Sequence, residues 1–384
     1  MKPPPTQLRG LGVAAPRGTR DQQTAAGFAL ARCRGNAREQ AWLLRIYRQS
    51  GVNRRGSVLL EPEAGGDAAL ERFYPLPVSN QDRGPSTAAR LRRYARAAGP
   101  LAAEACRGAF TEAGDDPADM THLITVSCTG LMSPGLDAQL IRCLGLSPDV
   151  GRINLGFMGC HGALNGLRAA AAFAGSMPGA RVLLCCVELC SLHFQYGLDP
   201  QKIIANALFA DGAGAVILGN GQQTGTRGSG SAHQARGGPD HGNDCRLLDT
   251  ASRLTSPGAG EAMSWLVGDH GFEMSLSREV PALINATIGP WLEEWLSRHG
   301  LSVADVAHWI IHPGGPRIIR TVTETLALPA DAGRESAAVL AEHGNMSSPT
   351  VLFILHRLRA QGLDGPCVML GFGPGLALEA ALLG

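Results

Sequence analysis

The chain has 384 residues, 45% of them hydrophobic, enough for one large domain or two of ordinary size around a substantial core. Its 34 basic and 33 acidic residues leave a net charge of +1, so nothing in the overall charge draws it to nucleic acid or to a membrane surface. The opening MKPPPTQLRG has no apolar stretch of signal-peptide length, and no apolar run approaches the roughly 20 residues of a membrane span; the expectation is a soluble, cytoplasmic protein.

Residues 8–15 (LRGLGVAA) read as a first strand, ended by Pro16. A helix is expected over 23–47, turning basic near its end, and a long one over 86–112 with Ser86 as its N-cap. Residues 122–127 (HLITVS) form a buried strand, followed by turn residues Gly130 and Ser133-Pro134-Gly135 and a helix over 136–144. A strand-like stretch through Ile153 and Leu155 precedes a helix over 163–175, and 181–187 and 213–218 are further buried strands. Residues 219–244 are rich in Gly and polar residues without periodicity and read as a long loop. A helix over 278–299, a strand at 308–311, helices at 316–326 and 348–360, and strands at 367–372 and 377–382 complete the chain. Strands alternating with helices in both halves favour an α/β fold.

Ten cysteines lie mostly inside apolar runs, and Cys186 and Cys190 lack histidine partners at zinc spacing. A reduced compartment and no metal are expected. One cysteine stands apart. In GFMGCHGALNGLR (156–168), Cys160 lies between Gly159 and Gly162 at a strand-to-helix turn. The helix N-terminus would favour a thiolate, the nucleophilic form, and the turn's N–H groups could bind an oxyanion. The alternative is an ordinary buried cysteine.

Two other turns carry polar side chains. In WIIHPGGPRII (309–319), His312 ends a buried strand before Pro313-Gly314-Gly315-Pro316. In AEHGNMSSPTVLFIL (341–355), Asn345 precedes Ser347 and Ser348, which look like the cap of the next helix. Each could be structural alone, a core histidine and a turn asparagine. Together, Cys, His and Asn suit papain-like hydrolysis, where Asn orients the base. They also suit a decarboxylative Claisen condensation, where Cys holds a thioester and His and Asn donate to an enolate oxygen. His161 and His343 adjoin catalytic candidates but read as structural rings.

The motifs in this order resemble the type III polyketide synthases, the chalcone-synthase-like family of the thiolase superfamily. The resemblance covers nearly the whole chain: GFMGCHGALNGLR, ALFADGAGAVILG (207–219), HPGGP (312–316), GNMSS (344–348) and GFGPGL (371–376). It implies a thiolase-like α/β fold of two related halves, 1–220 and 245–384, in α-β-α-β-α layers, joined by a flexible loop at 221–244. It implies Cys160 as the acyl carrier, His312 as its ion-pair partner, Asn345 as the partner of His312 in decarboxylation, and Phe209 as the gatekeeper between a coenzyme A tunnel and the cavity. Arg45 and Arg317 are the implied contacts for coenzyme A phosphates, with Gln49 where plant members carry lysine. Trp265 falls where plant enzymes have glycine at the cavity floor. Cys128, His193, Met274 and Ser347 are the other implied lining residues. Residues 187–200 and 263–274 look most like bacterial alkylpyrone and alkylresorcinol synthases, so long-chain acyl-CoA and malonyl-CoA are the implied substrates. No further cofactor is implied. A homodimer is implied, and an acyl carrier protein or fatty-acid synthase is a conceivable starter donor. The rivals are a ketoacyl synthase priming fatty-acid synthesis from malonyl-acyl carrier protein, an inactive scaffold, and a Cys-His-Asn hydrolase.

Overall fold

A computed structural model describes residues 5–220, 245–255 and 262–384. The expected Gly-rich loop at 221–244 lies outside the described residues. The strands are β1 (Thr6–Ala14), β2 (Thr19–Asp21), β3 (Arg54–Gly56), β4 (His122–Ser127), β5 (Gly151–Gly156), β6 (Arg181–Leu189), β7 (Asp211–Gly219), β8 (Arg246–Leu254), β9 (Met263–Gly268), β10 (Gly271–Leu276), β11 (His308–Ile311), β12 (Cys367–Gly373) and β13 (Ala377–Leu383). The helices are α1 (Gln22–Cys33), α2 (Ala37–Gln49), α3 (Gly66–Phe73), α4 (Thr87–Ala113), α5 (Leu136–Leu144), α6 (Gly162–Ser176), α7 (Pro200–Leu208), α8 (Val280–Ser297), α9 (Pro316–Thr325), α10 (Arg334–His343) and α11 (Thr350–Ala360).

Nine strands run in the order β11-β12-β13-β8-β1-β7-β6-β4-β5. The seam between the chain's two halves is thin: β8 and β1 pair only through Thr6 with Leu247 and Gln7 with Arg246. Each half repeats one scheme, a parallel pair (β4–β6, β11–β12) followed by antiparallel neighbours (β6–β7–β1, β12–β13–β8). Three apolar cores account for the layers. One joins the inner faces of both halves to α6 and α11, through Leu164, Leu167, Leu352 and Leu355. A second packs α4 and α5 on the outer face of the N-terminal half. A third packs α8 and α9 on the C-terminal half. Strands covered on both faces need apolar residues at every position, and β6, β7, β12 and β13 are buried almost throughout. The result is the mixed α/β, thiolase-like layering that the motifs imply.

Two expectations need correction. The helix over 23–47 is two helices. Arg34 takes φ +39°, and Asn36 starts α2 with a capping box to Glu39. Ser347 and Ser348 do not cap α11: Pro349 holds the cap position without a side-chain bond, and Ser348 Oγ instead donates to Glu188 at 2.8 Å. The described chain also has elements the sequence pattern did not suggest, namely β2, β3, β8, α3, α7, α10 and the β9–β10 hairpin.

Candidate active site

Cys160 sits in a single helical turn, Gly159–His161, between β5 and α6. Gly159 takes φ +68°, and a Cβ there would lie 2.4 Å from Pro374 Cδ. Only glycine combines that backbone with so close an approach of the GFGPGL segment. His312 follows β11, its N–H held by Leu370 O at 2.9 Å. Asn345 follows α10. Its backbone exchanges two hydrogen bonds with the Phe209 segment, Ala210 N to Asn345 O and Asn345 N to Leu208 O, both 2.9 Å. The Phe209 ring and the Asn345 amide are therefore set by one backbone bridge. Arg55 braces it, donating to Asn206 O at 2.5 Å and Phe209 O at 3.1 Å.

Cys160, His312, Asn345 and Phe209 line one cavity of about 490 Å³, with Met274, Ile204 and Ile318. Asn345 Oδ1 accepts from Ser347 N at 2.8 Å, so its NH₂ end is the one turned toward Cys160 and the cavity. Ser347 holds φ +57°, an uncommon conformation for a non-glycine residue. His312 is 1% exposed, and among the described residues neither of its ring nitrogens has a hydrogen-bond partner. A buried imidazole without partners is costly, and here the cavity is where a partner can enter.

On the other side of Cys160 a chamber of about 310 Å³ is lined by Cys128, Cys190, Met263, Trp265 and Ser347. Beyond Trp265 and Phe209 lies a mostly apolar cavity of about 820 Å³, reaching Phe28, Leu60, Leu70 and Tyr74. Phe209 and Met274 border all three spaces. Trp265 is fixed by its Nε1 donating to Cys128 O at 2.6 Å. His193 stacks on Phe272 at 4.3 Å between ring centres, and its ring nitrogens bond Thr129 O and Phe272 N. Arg45, on α2, and Arg317, in the first turn of α9, are exposed and line none of these spaces.

Burial dominates the electrostatics. It pushes the Cys160 thiol up to about 12, against hydrogen bonds from Ser347 and Asn345 that pull it down. It pushes His312 down to about 3, with His161 adding to the fall. At rest the two are thiol and neutral imidazole, so burial outweighs the helix N-terminus that was expected to favour thiolate. Cys128 is pushed up by burial and by the Glu188 carboxylate, which leaves it protonated.

Glu188 was not singled out in the sequence. It is fully buried and accepts from Cys128 N at 2.9 Å, Thr129 Oγ1 at 2.7 Å and Ser348 Oγ at 2.8 Å. It ties β4 to the GNMSS turn. Its only sequence signal is an acid at the end of the apolar strand RVLLCCVEL.

A pH dependence of stability follows from the neutral rings. His193 and His312 titrate near 6.5 in an unfolded chain and near 3 when folded. The unfolded state binds more protons below pH 6.5. The contribution of each neutral ring is complete above that pH and is lost as pH falls toward 3, at roughly 1.4 kcal/mol per pH unit per ring. Urea unfolding of the wild type and of His193→Gln between pH 7.5 and 4.5 should give a shallower acid decline in the variant. Parallel declines would contradict a buried neutral His193.

A cysteine in a helical turn, an imidazole with free nitrogens and an oriented amide around one buried cavity are a set suited to acyl transfer. The comparisons are more specific. Residues 5–222 match the chalcone and stilbene synthase N-terminal domain, and residues 248–384 the C-terminal domain. The chain belongs to the chalcone and stilbene synthase family and is a type III polyketide synthase. It is 28% identical over 99% of its length to the alpha-pyrone synthesis polyketide synthase-like protein Pks18 of Mycobacterium tuberculosis, covering 92% of that protein. Among solved structures it resembles PKS-I of the brown alga Ectocarpus siliculosus, with a TM-score of 0.85 and 30% identity over 100% of this chain and 99% of that one. The C-terminal type III polyketide synthase domain of Steely1 from Dictyostelium follows at 0.84, with 26% identity over 99% of each chain.

Proposed function

We propose that this enzyme extends an acyl-CoA starter, of long-chain fatty acyl type, with malonyl-CoA units and releases alkylpyrones or alkylresorcinols. The reading is carried by one observation: His312, with both nitrogens free, and Asn345, with its NH₂ end turned toward Cys160, line the same cavity as Cys160. Cys160 Sγ attacks the starter thioester carbonyl. Its proton passes to His312 and then to the leaving coenzyme A sulfur. The transfer creates opposite charges together, and their attraction in so dry a site offsets part of the cost of burying each. Malonyl-CoA then loses CO₂, and the electron pair left behind becomes an enolate whose oxygen accepts from His312 and Asn345. The enolate carbon attacks the Cys160 thioester carbonyl, the carbon–sulfur bond breaks, the Cys160 thiolate takes a proton from solvent, and the chain leaves on coenzyme A. Phe209, an apolar ring at the mouth of the chamber, disfavours the malonyl carboxylate and so favours release of CO₂. No other cofactor enters the scheme.

The apolar cavity beyond Trp265 supports a long starter chain, and the printed name of Pks18 supports pyrone release. Exposed Arg45 and Arg317 suit coenzyme A phosphates. A homodimer is part of the proposal: β5 is the outer strand of the N-terminal half, and Leu131 and Met158, just beyond β4 and β5, are exposed. Such an edge with apolar flanks suits a second copy. The domain division at 221–244, the cytoplasm as location, and starter supply by an acyl carrier protein or fatty-acid synthase belong to the same reading. Among the described residues no helix is long and apolar enough to cross a membrane.

The test is incubation with malonyl-CoA and a panel of acyl-CoAs from two to twenty carbons or so, with mass analysis of products. Two or more malonyl units per long-chain starter are expected. A single condensation, made only with a carrier-protein substrate, would move the enzyme to fatty-acid priming.

Trp265 offers a second test. Its indole stands between the 310 Å³ chamber and the 820 Å³ cavity. Trp265→Gly should merge them, lengthening the polyketide portion or admitting bulkier starters. A soluble variant with an unchanged product profile would refute the wall role. If the indole were only core packing, the loss would be one of stability, about 3–5 kcal/mol.

A further inference from the structure

His161, the residue after the nucleophile, is 5% exposed, and its polar contacts form a chain. Its Nδ1 lies 2.5 Å from Asn165 Oδ1 on α6. Asn165 Nδ2 donates to Glu379 Oε1 on β13 at 3.1 Å. Glu379, itself buried, also accepts from Ser252 Oγ on β8 at 2.7 Å and pairs with Arg168. The donors permit one arrangement. A carboxylate can only accept, so it takes the NH₂ end of the amide. The amide oxygen then faces His161, and only an N–H can face that oxygen. His161 therefore carries a proton on Nδ1, and in the neutral ring Nε2 is the bare nitrogen.

Glycines make room for this ring. A Cβ on Gly373 would lie 2.3 Å from its Cδ2 and 2.7 Å from its Nε2, and one on Gly371 would lie 3.0 Å from its Cβ. The residue before Gly371 is Leu370, whose carbonyl holds His312 N. His161 and His312 thus flank the same end of β12. A positive charge on one opposes protonation of the other.

We infer that Asn165 keeps His161 out of direct contact with Glu379: it passes on the orientation that the carboxylate sets while weakening the pull of its charge, so His161 stays a neutral positioning residue and His312 is the imidazole of the site that takes a proton. The charged and titratable groups around His161 are few. Arg168 comes from its own helix, Glu379 from β13 and His312 from the end of β11; β8 offers the Ser252 and Thr250 hydroxyls, and β12 offers glycine backbone. Burial holds His161 below the ordinary histidine value. A carboxylate in direct contact would work the other way and favour the cation. The inference rests on the proposed Cys160–His312 chemistry.

The test is the pH profile of malonyl-CoA decarboxylation in the wild type, Asn165→Asp, Asn165→Thr and the double variant His161→Phe/Asn165→Asp. In Asn165→Asp the acid limb should move up by about one pH unit or more, because it is then set by protonation of His161, whose cation opposes proton uptake by His312. Asn165→Thr should keep the wild-type limb, and the double variant should return to it. A limb unmoved in Asn165→Asp, or a shift that survives loss of the imidazole, overturns the inference. Nitrogen NMR of histidine-labelled wild-type protein reads the same point without any variant: His161 should be neutral with Nδ1 protonated at pH 6 to 7, and a cationic ring there overturns it. A wild type that does not decarboxylate malonyl-CoA would sink the proposed function instead, while the NMR result still decides the state of His161.

Discussion

Replacing Cys160 with Ala is expected to abolish chain extension and covalent acylation, lowering product formation by at least about 10³-fold. The thioester needs a sulfur at the turn that opens toward both the 490 Å³ cavity and the 310 Å³ chamber, and Cys160 lines both. Two other thiols, Cys128 and Cys190, border the chamber and are the natural candidates to rescue the variant. Burial and the Glu188 carboxylate push both of them up, and neither lines the cavity with His312. Malonyl-CoA decarboxylation should persist in Cys160→Ala, because His312 and Asn345 remain. Intact-mass analysis after incubation with a long-chain acyl-CoA checks the first point. An acyl group on Cys128 in an active Cys160→Ala enzyme would overturn the assignment.

The sequence exposed the strands best where burial is complete. HLITVS, RVLLCCV and AGAVIL are continuous apolar runs because layers cover both faces, and β4, β6 and β7 appear where those runs lie. The long α4 was legible from its cap, since Ser86 Oγ accepts from Ala89 N. Two further helix starts carry cap signals of their own. Asn36 with Glu39 is a capping box, hidden inside a stretch that looks helical on both sides. Asp199 before Pro200 caps α7 by accepting from Gln201 N and Lys202 N. The β9–β10 hairpin was not legible in the same way. It turns at Asp269-His270 without the usual Asn-Gly or Asp-Gly signal, and half of each strand faces a cavity or solvent. The site divides likewise. Cys160, His312 and Asn345 stand at the glycine-marked turns that follow β5, β11 and α10, where local sequence shows them. Glu188 and Arg55 act through partners 59 to 160 and 151 to 154 residues away, and no local pattern announces such partners.

His312→Gln and Asn345→Ala should each reduce malonyl-CoA decarboxylation by about 10²–10³-fold, the usual cost of losing one donor to a developing oxyanion. The two losses should not multiply. If both donors meet one enolate oxygen, removing the first misplaces the oxygen for the second, and the double variant should fall little below the worse single. The orientation of Asn345 gives a sharper form of the test. Its Oδ1 is occupied by Ser347 N at 2.8 Å, so the NH₂ end is the one left to donate. Asn345→Asp keeps the acceptor for Ser347 but puts a carboxylate oxygen where the donor was. It should be at least as damaging as Ala, since a bare acceptor then faces the enolate oxygen. The backbone bridge to Phe209 uses only main-chain atoms, so neither substitution should move the gate, and starter loading on Cys160 should proceed in both Asn345 variants. Decarboxylation at the wild-type rate in Asn345→Asp would take Asn345 out of the reaction. Loss of starter loading in step with decarboxylation would instead make Asn345 a support for Cys160, consistent with its pull on the thiol, and not a donor to the enolate.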